Sequence, residues 1–161
     1  IAVIEIEKGS KKKYELDKET GSLILDRILY TSTHYPASYG FIPRTYGDDK
    51  DPLDVLVICS EEIEPMSLVR CYPIGVMYMR DNGDMDEKII AIPYNDPTYN
   101  YYTDIEQLPE HIFEEIQHFF SVYKDLENKE TDVKDFGGPS EAIAVIEKCI
   151  ANYEKKYGDK K

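Results

Sequence analysis

Ile74-Gly75-Val76-Met77-Tyr78-Met79-Arg80-Asp81-Asn82-Gly83-Asp84-Met85-Asp86-Glu87-Lys88-Ile89-Ile90-Ala91-Ile92 carries two apolar runs on either side of an acidic segment. Ile74 to Met79 and Ile89 to Ile92 have the length and composition of strands, and Asp81 to Asp86 reads as the hairpin turn between them. The same texture extends toward the N-terminus. Ile1 to Ile6, Lys13 to Leu16, Leu23 to Leu29, Asp54 to Ile58 and Leu68 to Cys71 are short apolar-rich or β-branched segments. Glu19-Thr20-Gly21 marks a hairpin between the second and third of these, and Pro65, Pro73, Gly83 and Pro93 punctuate the rest. Many short strands at this spacing predict a small closed barrel or a sandwich.

The last third changes period. Ile112, Phe113, Ile116, Phe119, Phe120 and Tyr123 fall at helical spacing between Pro109 and Asp125. Gly137-Gly138-Pro139-Ser140 then breaks the chain and starts a second helix, in which Ala142, Ile143, Ile146, Cys149, Ile150 and Tyr153 form one stripe. Both stripes read as core-facing. Strands first and helices last predict an α+β fold, a barrel with helices packed outside. No repeat or linker divides the chain, so residues 1–161 read as one domain, with the Lys155 to Lys161 tail expected to fray.

Acidic residues number 32 against 19 basic ones, for a net charge of −13. Such a chain repels nucleic-acid phosphates, and its longest basic run is only Lys11-Lys12-Lys13. No apolar stretch approaches the roughly 18 residues of a membrane-spanning helix, so no membrane partner is expected. The segment Ile1 to Ile6 lacks the basic start of a signal peptide, and the missing initiator Met leads us to expect residues ahead of Ile1. Cys59, Cys71 and Cys149 are odd in number and scattered, which suits neither a zinc site nor a disulfide framework and points to a reducing cytoplasm.

Chemistry concentrates in Tyr46-Gly47-Asp48-Asp49-Lys50-Asp51-Pro52-Leu53-Asp54-Val55-Leu56-Val57. Three carboxylates, at 49, 51 and 54, precede an apolar strand, and Pro52 bends the chain so that side chains on both sides of it can converge. Oxygen-only ligands select hard cations, Mg²⁺ or Mn²⁺. The alternative is an acidic surface loop. An EF-hand starting at Asp49 fails, because Leu53, Asp54 and Ser60 stand where a ligand, Gly and Glu belong. A haloacid-dehalogenase motif fails because its Asp-x-Asp follows a strand, whereas Asp49 and Asp51 precede one. Asp81 to Asp86 is either a plain turn or the far wall of a multi-metal site, where two ions about 3.5–4 Å apart activate water and clamp phosphate. Lys13, Arg27, Lys88 and Lys124 are candidate cations for an anionic ligand, or solvated charges. Tyr35-Pro36-Ala37-Ser38-Tyr39-Gly40-Phe41 is either a packed aromatic turn or a device that aims the Tyr39 phenol at phosphate.

Asp49-Lys50-Asp51-Pro52-Leu53-Asp54-Val55 resembles the signature of the family I soluble inorganic pyrophosphatases, bacterial-like in length. Matching fragments run in the family's order from Val3-Ile4-Glu5-Ile6 through Lys13-Tyr14-Glu15, Asp26-Arg27, Tyr35-Pro36 and Asp81 to Lys88, ending at Tyr123-Lys124-Asp125-Leu126-Glu127. The resemblance implies a five-stranded OB-like barrel with flanking C-terminal helices, and hydrolysis of pyrophosphate to two orthophosphates. It implies several Mg²⁺ ions per site, held by Asp49, Asp54, Asp81, Asp86 and Glu15, and Asp51 as the base that takes a proton from water. Lys13, Arg27, Tyr39, Lys88, Tyr123 and Lys124 would grip phosphate, with Glu5 and Tyr35 as supports behind them. It also implies a homohexamer. Two positions depart from the family: Lys50, where Gly, Ser, Asp or Asn is usual, and Asn82, where some relatives carry a carboxylate. Two other readings are a phosphatase for nucleotides or phosphoesters and a barrel that binds metal or anions without catalysis.

Overall fold

The two apolar runs of the central hairpin become the longest strands of the molecule, eleven and ten residues, joined by only Asn82 and Gly83. Both turn residues have left-handed backbone, φ 50° and 84°. Asn and Gly adopt that conformation most readily, and its twist matches the flanking strands. The computed structural model describes residues 1–158. In chain order its strands are β1 (Ala2–Ile6), β2 (Lys12–Leu16), β3 (Leu23–Ile28), β4 (Ser38–Ile42), β5 (Leu53–Val57), β6 (Leu68–Val69), β7 (Cys71–Asp81), β8 (Asp84–Pro93) and β9 (Thr131–Gly137). Its helices are α1 (Glu110–Val122) and α2 (Pro139–Tyr157), with Pro139 in the first turn of α2, where its missing N–H is harmless.

Seven strands form one mixed sheet in the order β6-β1-β4-β5-β8-β7-β9, and β2 and β3 form a separate antiparallel pair. The fold is α+β, as expected. The large sheet has seven strands rather than five, and its pairing runs from edge to edge without joining β6 to β9 among the described residues. β8 sits near the middle, parallel to β5 and antiparallel to β7. Alternate side chains of β8 enter different cores. Ile90 and Ile92 pack with Ile116, Phe119, Phe120 and Tyr123 of and just after α1, whereas Ile89 and Ala91 pack with Ala142 and Cys149 of α2. Burial on both faces explains why this strand reads as an unbroken apolar run.

Two strands escaped the sequence reading. β4 lies in the segment read as an aromatic turn, where Gly40 masks the strand pattern. Gly40 faces Ile4 across the β1 ladder, and a Cβ there would lie 1.8 Å from the Val3 carbonyl oxygen. Only glycine allows β1 this close. β9 lies between the two helices, so the strict order of strands then helices does not hold. Its apolar residues, Val133 and Phe136, are three apart, which contradicts strand alternation. A bulge opposite Tyr78 and Met79 shifts the register, and both side chains pack against the α1 core.

The α1 stripe is core-facing throughout. The α2 stripe is narrower than expected, because Ile143 and Ile150 are 46% and 40% exposed. They lie about 100° around the helix from Ala142 and Cys149, which take the buried line. Lys155 and Lys156 are helical rather than frayed; residues 159–161 of the expected tail lie outside the described residues. Cys59, Cys71 and Cys149 are free thiols. No described helix is long and apolar enough to cross a membrane.

Candidate active site

Toward its N-terminal end, β8 replaces core residues with charged ones on the face that Ile90 and Ile92 occupy. Asp86 and Lys88 continue that alternation. Parallel pairing sets Asp54 of β5 beside Lys88, and antiparallel pairing sets Tyr39 of β4 next to Leu56. Lys88 Nζ donates to Asp54 Oδ2 at 2.8 Å, to Tyr39 Oη at 2.8 Å and to Asp86 Oδ2 at 3.1 Å. The rings of Tyr39 and Phe120 stand 5.1 Å from the same ammonium. Lys88 is only 1% exposed. Burial by itself would depress its pKa, but Asp54 and Asp86 outweigh that and hold it well above the usual lysine value. A buried lysine is tolerated here because each of its three protons has an acceptor.

This cluster forms the floor of a cavity of about 300 Å³. Glu5, Lys13, Glu15, Tyr39, Asp49, Asp51, Asp54, Asp81, Asp86, Lys88, Tyr123 and Lys124 all line it. These residues come from strands of both sheets, the loop ahead of β5 and the end of α1. Tyr14, Lys18, Phe41 and Pro52 also line the cavity and were not anticipated as site residues. Arg27 and Tyr35 do not line it. Tyr35 packs behind, its ring centroid 5.2 Å from Tyr39 and 4.7 Å from Phe119, which suits a supporting part. Arg27 stands opposite Lys13 in the β2–β3 ladder and forms an ion pair with Glu127 at 2.8 Å. Glu127 has no part assigned from the sequence, although it closes the Tyr123-Lys124-Asp125-Leu126-Glu127 fragment.

Three of the cavity's lysines are paired with carboxylates. Lys13 bonds Glu15, Lys124 bonds Asp81, and Lys88 holds Asp54 and Asp86. The carboxylates still crowd one another. Burial, followed by repulsion from Asp86, Asp54 and Asp51, lifts Asp49 to about 7 despite a backbone hydrogen bond from Asp51. Burial and Asp54 raise Asp86 against the pull of Lys88. Burial also lifts Glu5 to about 7, although it accepts a 2.7 Å hydrogen bond from the Leu16 amide. Asp81 Oδ1 is buried without a hydrogen-bond partner among the described residues. No three carboxylates converge into a ready-made metal cage among those residues. The donors are nevertheless all oxygens on one cavity, strained by like charge and holding one orphaned acceptor. That chemistry fits hard divalent cations.

Both departures from the family pattern fall at left-handed backbone positions, which suit Asn82 and strain Lys50. Lys50 is left-handed, φ 70°, and so is Asn82. Of the Gly, Ser, Asp or Asn that the resemblance implies at position 50, Gly, Asp and Asn suit that conformation, whereas Lys carries its strain and extends an exposed side chain.

The sequence model of the inorganic pyrophosphatases matches residues 2–154. Soluble inorganic pyrophosphatase 2 of Chlamydomonas reinhardtii is 51% identical over 159 residues, covering 99% of this chain and 83% of the relative. The inorganic pyrophosphatase of Aquifex pyrophilus is 51% identical over 156 residues, covering 95% and 88%. Among solved structures, the inorganic pyrophosphatase of Helicobacter pylori superposes with a TM-score of 0.93 at 49% identity, covering 95% of this chain and 92% of that one. With sequence, fold and nearly full-length coverage in agreement, the chain belongs to the soluble inorganic pyrophosphatase family.

Proposed function

We propose that this chain hydrolyses inorganic pyrophosphate to two orthophosphates, with its mixed carboxylate and ammonium cavity as the active site. The observation that carries this reading is Lys88, buried and hydrogen-bonded to Asp54, Asp86 and Tyr39 at the floor of a cavity walled by Asp49, Asp51 and Asp81. Asp49, Asp54, Asp81, Asp86 and Glu15 would hold several Mg²⁺ ions, with Mn²⁺ as a substitute. Bound there, the cations acidify water and neutralise phosphate charge. Asp51, on the exposed loop beside Asp49, would take the proton from the attacking water. Lys13, Arg27, Lys88, Lys124, Tyr39 and Tyr123 would hold the phosphates in line and stabilise the charge that builds on the leaving group. Loading the site exchanges partners: ammonium–carboxylate pairs give way to ammonium–phosphate and carboxylate–cation pairs. A protein of net charge −13 can thus accept a polyanion.

Glu5 and Tyr35 act as supports, Glu5 through its bond to the β2 backbone and Tyr35 through its tilted ring contact with Tyr39. The whole chain works as one domain, its sheet curved as the OB-like barrel of the family, in the cytoplasm. The exposed Ile24, Leu25 and Ile28 of the β2–β3 hairpin, with Ile143 and Ile150 of α2, support assembly into a homohexamer. Light scattering at micromolar concentration checks this, and a monomer mass refutes it. Function is tested by phosphate release from pyrophosphate with Mg²⁺, Mn²⁺ and excess chelator; no release with either cation sinks the reading. The Asp51→Asn variant should keep its circular dichroism spectrum and lose at least ~100-fold in turnover.

A further inference from the structure

We propose that Glu127 is a positioning residue that fixes the Arg27 guanidinium for substrate and ties the free β2–β3 hairpin to the α1 wall of the cavity. The inference rests on the pyrophosphatase reading above. Lys88 and Lys124 pair with carboxylates proposed to hold metal. Arg27 differs, because its partners Asp26 and Glu127 have no such part.

The geometry divides the guanidinium into three edges. Nη1 donates to Asp26, its neighbour in the chain, and Nε stands 2.8 Å from Glu127 Oε1. Nε makes that ion pair without hydrogen-bond geometry, and Nη2 is buried with no hydrogen-bond partner among the described residues. One hydrogen bond to Asp26 and one ion pair with Glu127 hold the guanidinium in place and leave Nη2 available to an anionic oxygen. The Glu127 side chain is only 7% exposed, so the pair is shielded from screening water.

Glu127 itself is well anchored. It ends the 3₁₀ turn Asp125–Glu127, directly after Tyr123 and Lys124. The amides of Glu127 and Lys129 both donate to the Lys124 carbonyl, and Asn128 closes the turn with left-handed backbone at φ 56°. Tyr123 is 4% exposed and packs on Phe119 and Phe120. Glu127 is therefore carried on a closed turn that follows directly on the core-packed Tyr123. The β2–β3 pair, in contrast, shares no ladder with the large sheet. Glu5 holds its β2 strand through the Leu16 amide, and Glu127 holds its β3 strand through Arg27.

The test measures steady-state kinetics on pyrophosphate with Mg²⁺ for wild type, Glu127→Gln, Glu127→Ala, Arg27→Ala and the double variant Arg27→Ala with Glu127→Ala. Glu127→Ala should raise KM ~10-fold with kcat within about twofold, because substrate binding loses a positioned fork while the reacting groups stay in place. Glu127→Gln, which keeps the shape and one acceptor oxygen, should fall between wild type and Glu127→Ala and guards against a misfolded truncation. In the Arg27→Ala background, Glu127→Ala should add less than about twofold, since a residue acting through Arg27 has nothing left to position. An unchanged KM in both Glu127 variants, or a full penalty that persists without Arg27, overturns the proposal alone. A wild type that releases no phosphate overturns it together with the reading of function.

Discussion

The floor of the cavity comes from β4, β5 and β8, in the middle of a seven-stranded sheet, and its outer wall comes from β2 and β3, which pair only with each other. On the floor, Lys88, Asp54, Asp86 and Tyr39 are fixed by ladders on both sides and covered by α1. On the outer wall, Lys13, Glu15 and Arg27 ride on a two-stranded ribbon whose residues are mostly exposed or half-buried. An isolated hairpin is only marginally stable in water. Its stability here depends on tethers such as those from Glu5 and Glu127. Charges on the floor should therefore govern both folding and chemistry, whereas charges on the hairpin should govern substrate affinity with little effect on folding.

The sharpest way to break this contrast is Lys88→Met. It removes the cation and leaves Asp54 and Asp86 uncompensated in a buried site, which should cost about 3–5 kcal/mol in urea denaturation and abolish turnover. A loss below about 1 kcal/mol would mean that the floor is as adaptable as the hairpin. The pH dependence of the metal-free protein probes the same wall. Asp49 and Glu5 have folded-state values near 7, above their unfolded values of 3.8 and 4.5. Groups raised in this way favour folding most when protonated. Their contribution is full below about pH 4 and is lost as pH rises toward and through 7. With chelator, the thermal midpoint should fall across that window, and Mg²⁺ should flatten the decline by binding the ionised carboxylates. A midpoint that rises from pH 4 to 7 in chelator would overturn these raised values.

For the hairpin, Lys13→Ala should raise KM for pyrophosphate while changing stability by less than ~1 kcal/mol, because its partners Glu15 and Asp26 are solvated. A large loss of stability would show that the ribbon is integral to the fold. The smallest expected effect belongs to the loop ahead of β5. Lys50→Gly relieves left-handed strain of about 1–2 kcal/mol but adds unfolded-state entropy of about 0.5–1 kcal/mol. The net stabilisation, by differential scanning calorimetry, should be ~0.5 kcal/mol. A destabilised variant would refute the assignment of strain to Lys50.

Legibility in the sequence followed the same division. The central hairpin, β5 and α1 announce themselves because burial on one or both faces imposes a regular apolar pattern. β4 and β9 do not, since Gly40 and the β9 bulge trade pattern for close approach and shifted register. Asp49, Asp51 and Asp54 are near neighbours in the chain, so the order of residues alone suffices to show that they can converge. Asp86 and Lys88 resemble half of a surface turn, and only the pairing of β8 with β5 places them against Asp54.

Glu127 marks the boundary most clearly. The sequence by itself determined the α+β composition, the carboxylate trio and the ordered fragments that identify the family, because these depend on local periodicity and on residues near one another in the chain. Tertiary structure alone decided that the Lys88 ammonium is buried among three acceptors, that β2–β3 stands apart from the main sheet, and that Glu127 meets Arg27. Those facts depend on contacts between segments far apart in the chain, and the desolvation and pairing that give such contacts their energy exist only once the chain has closed on itself.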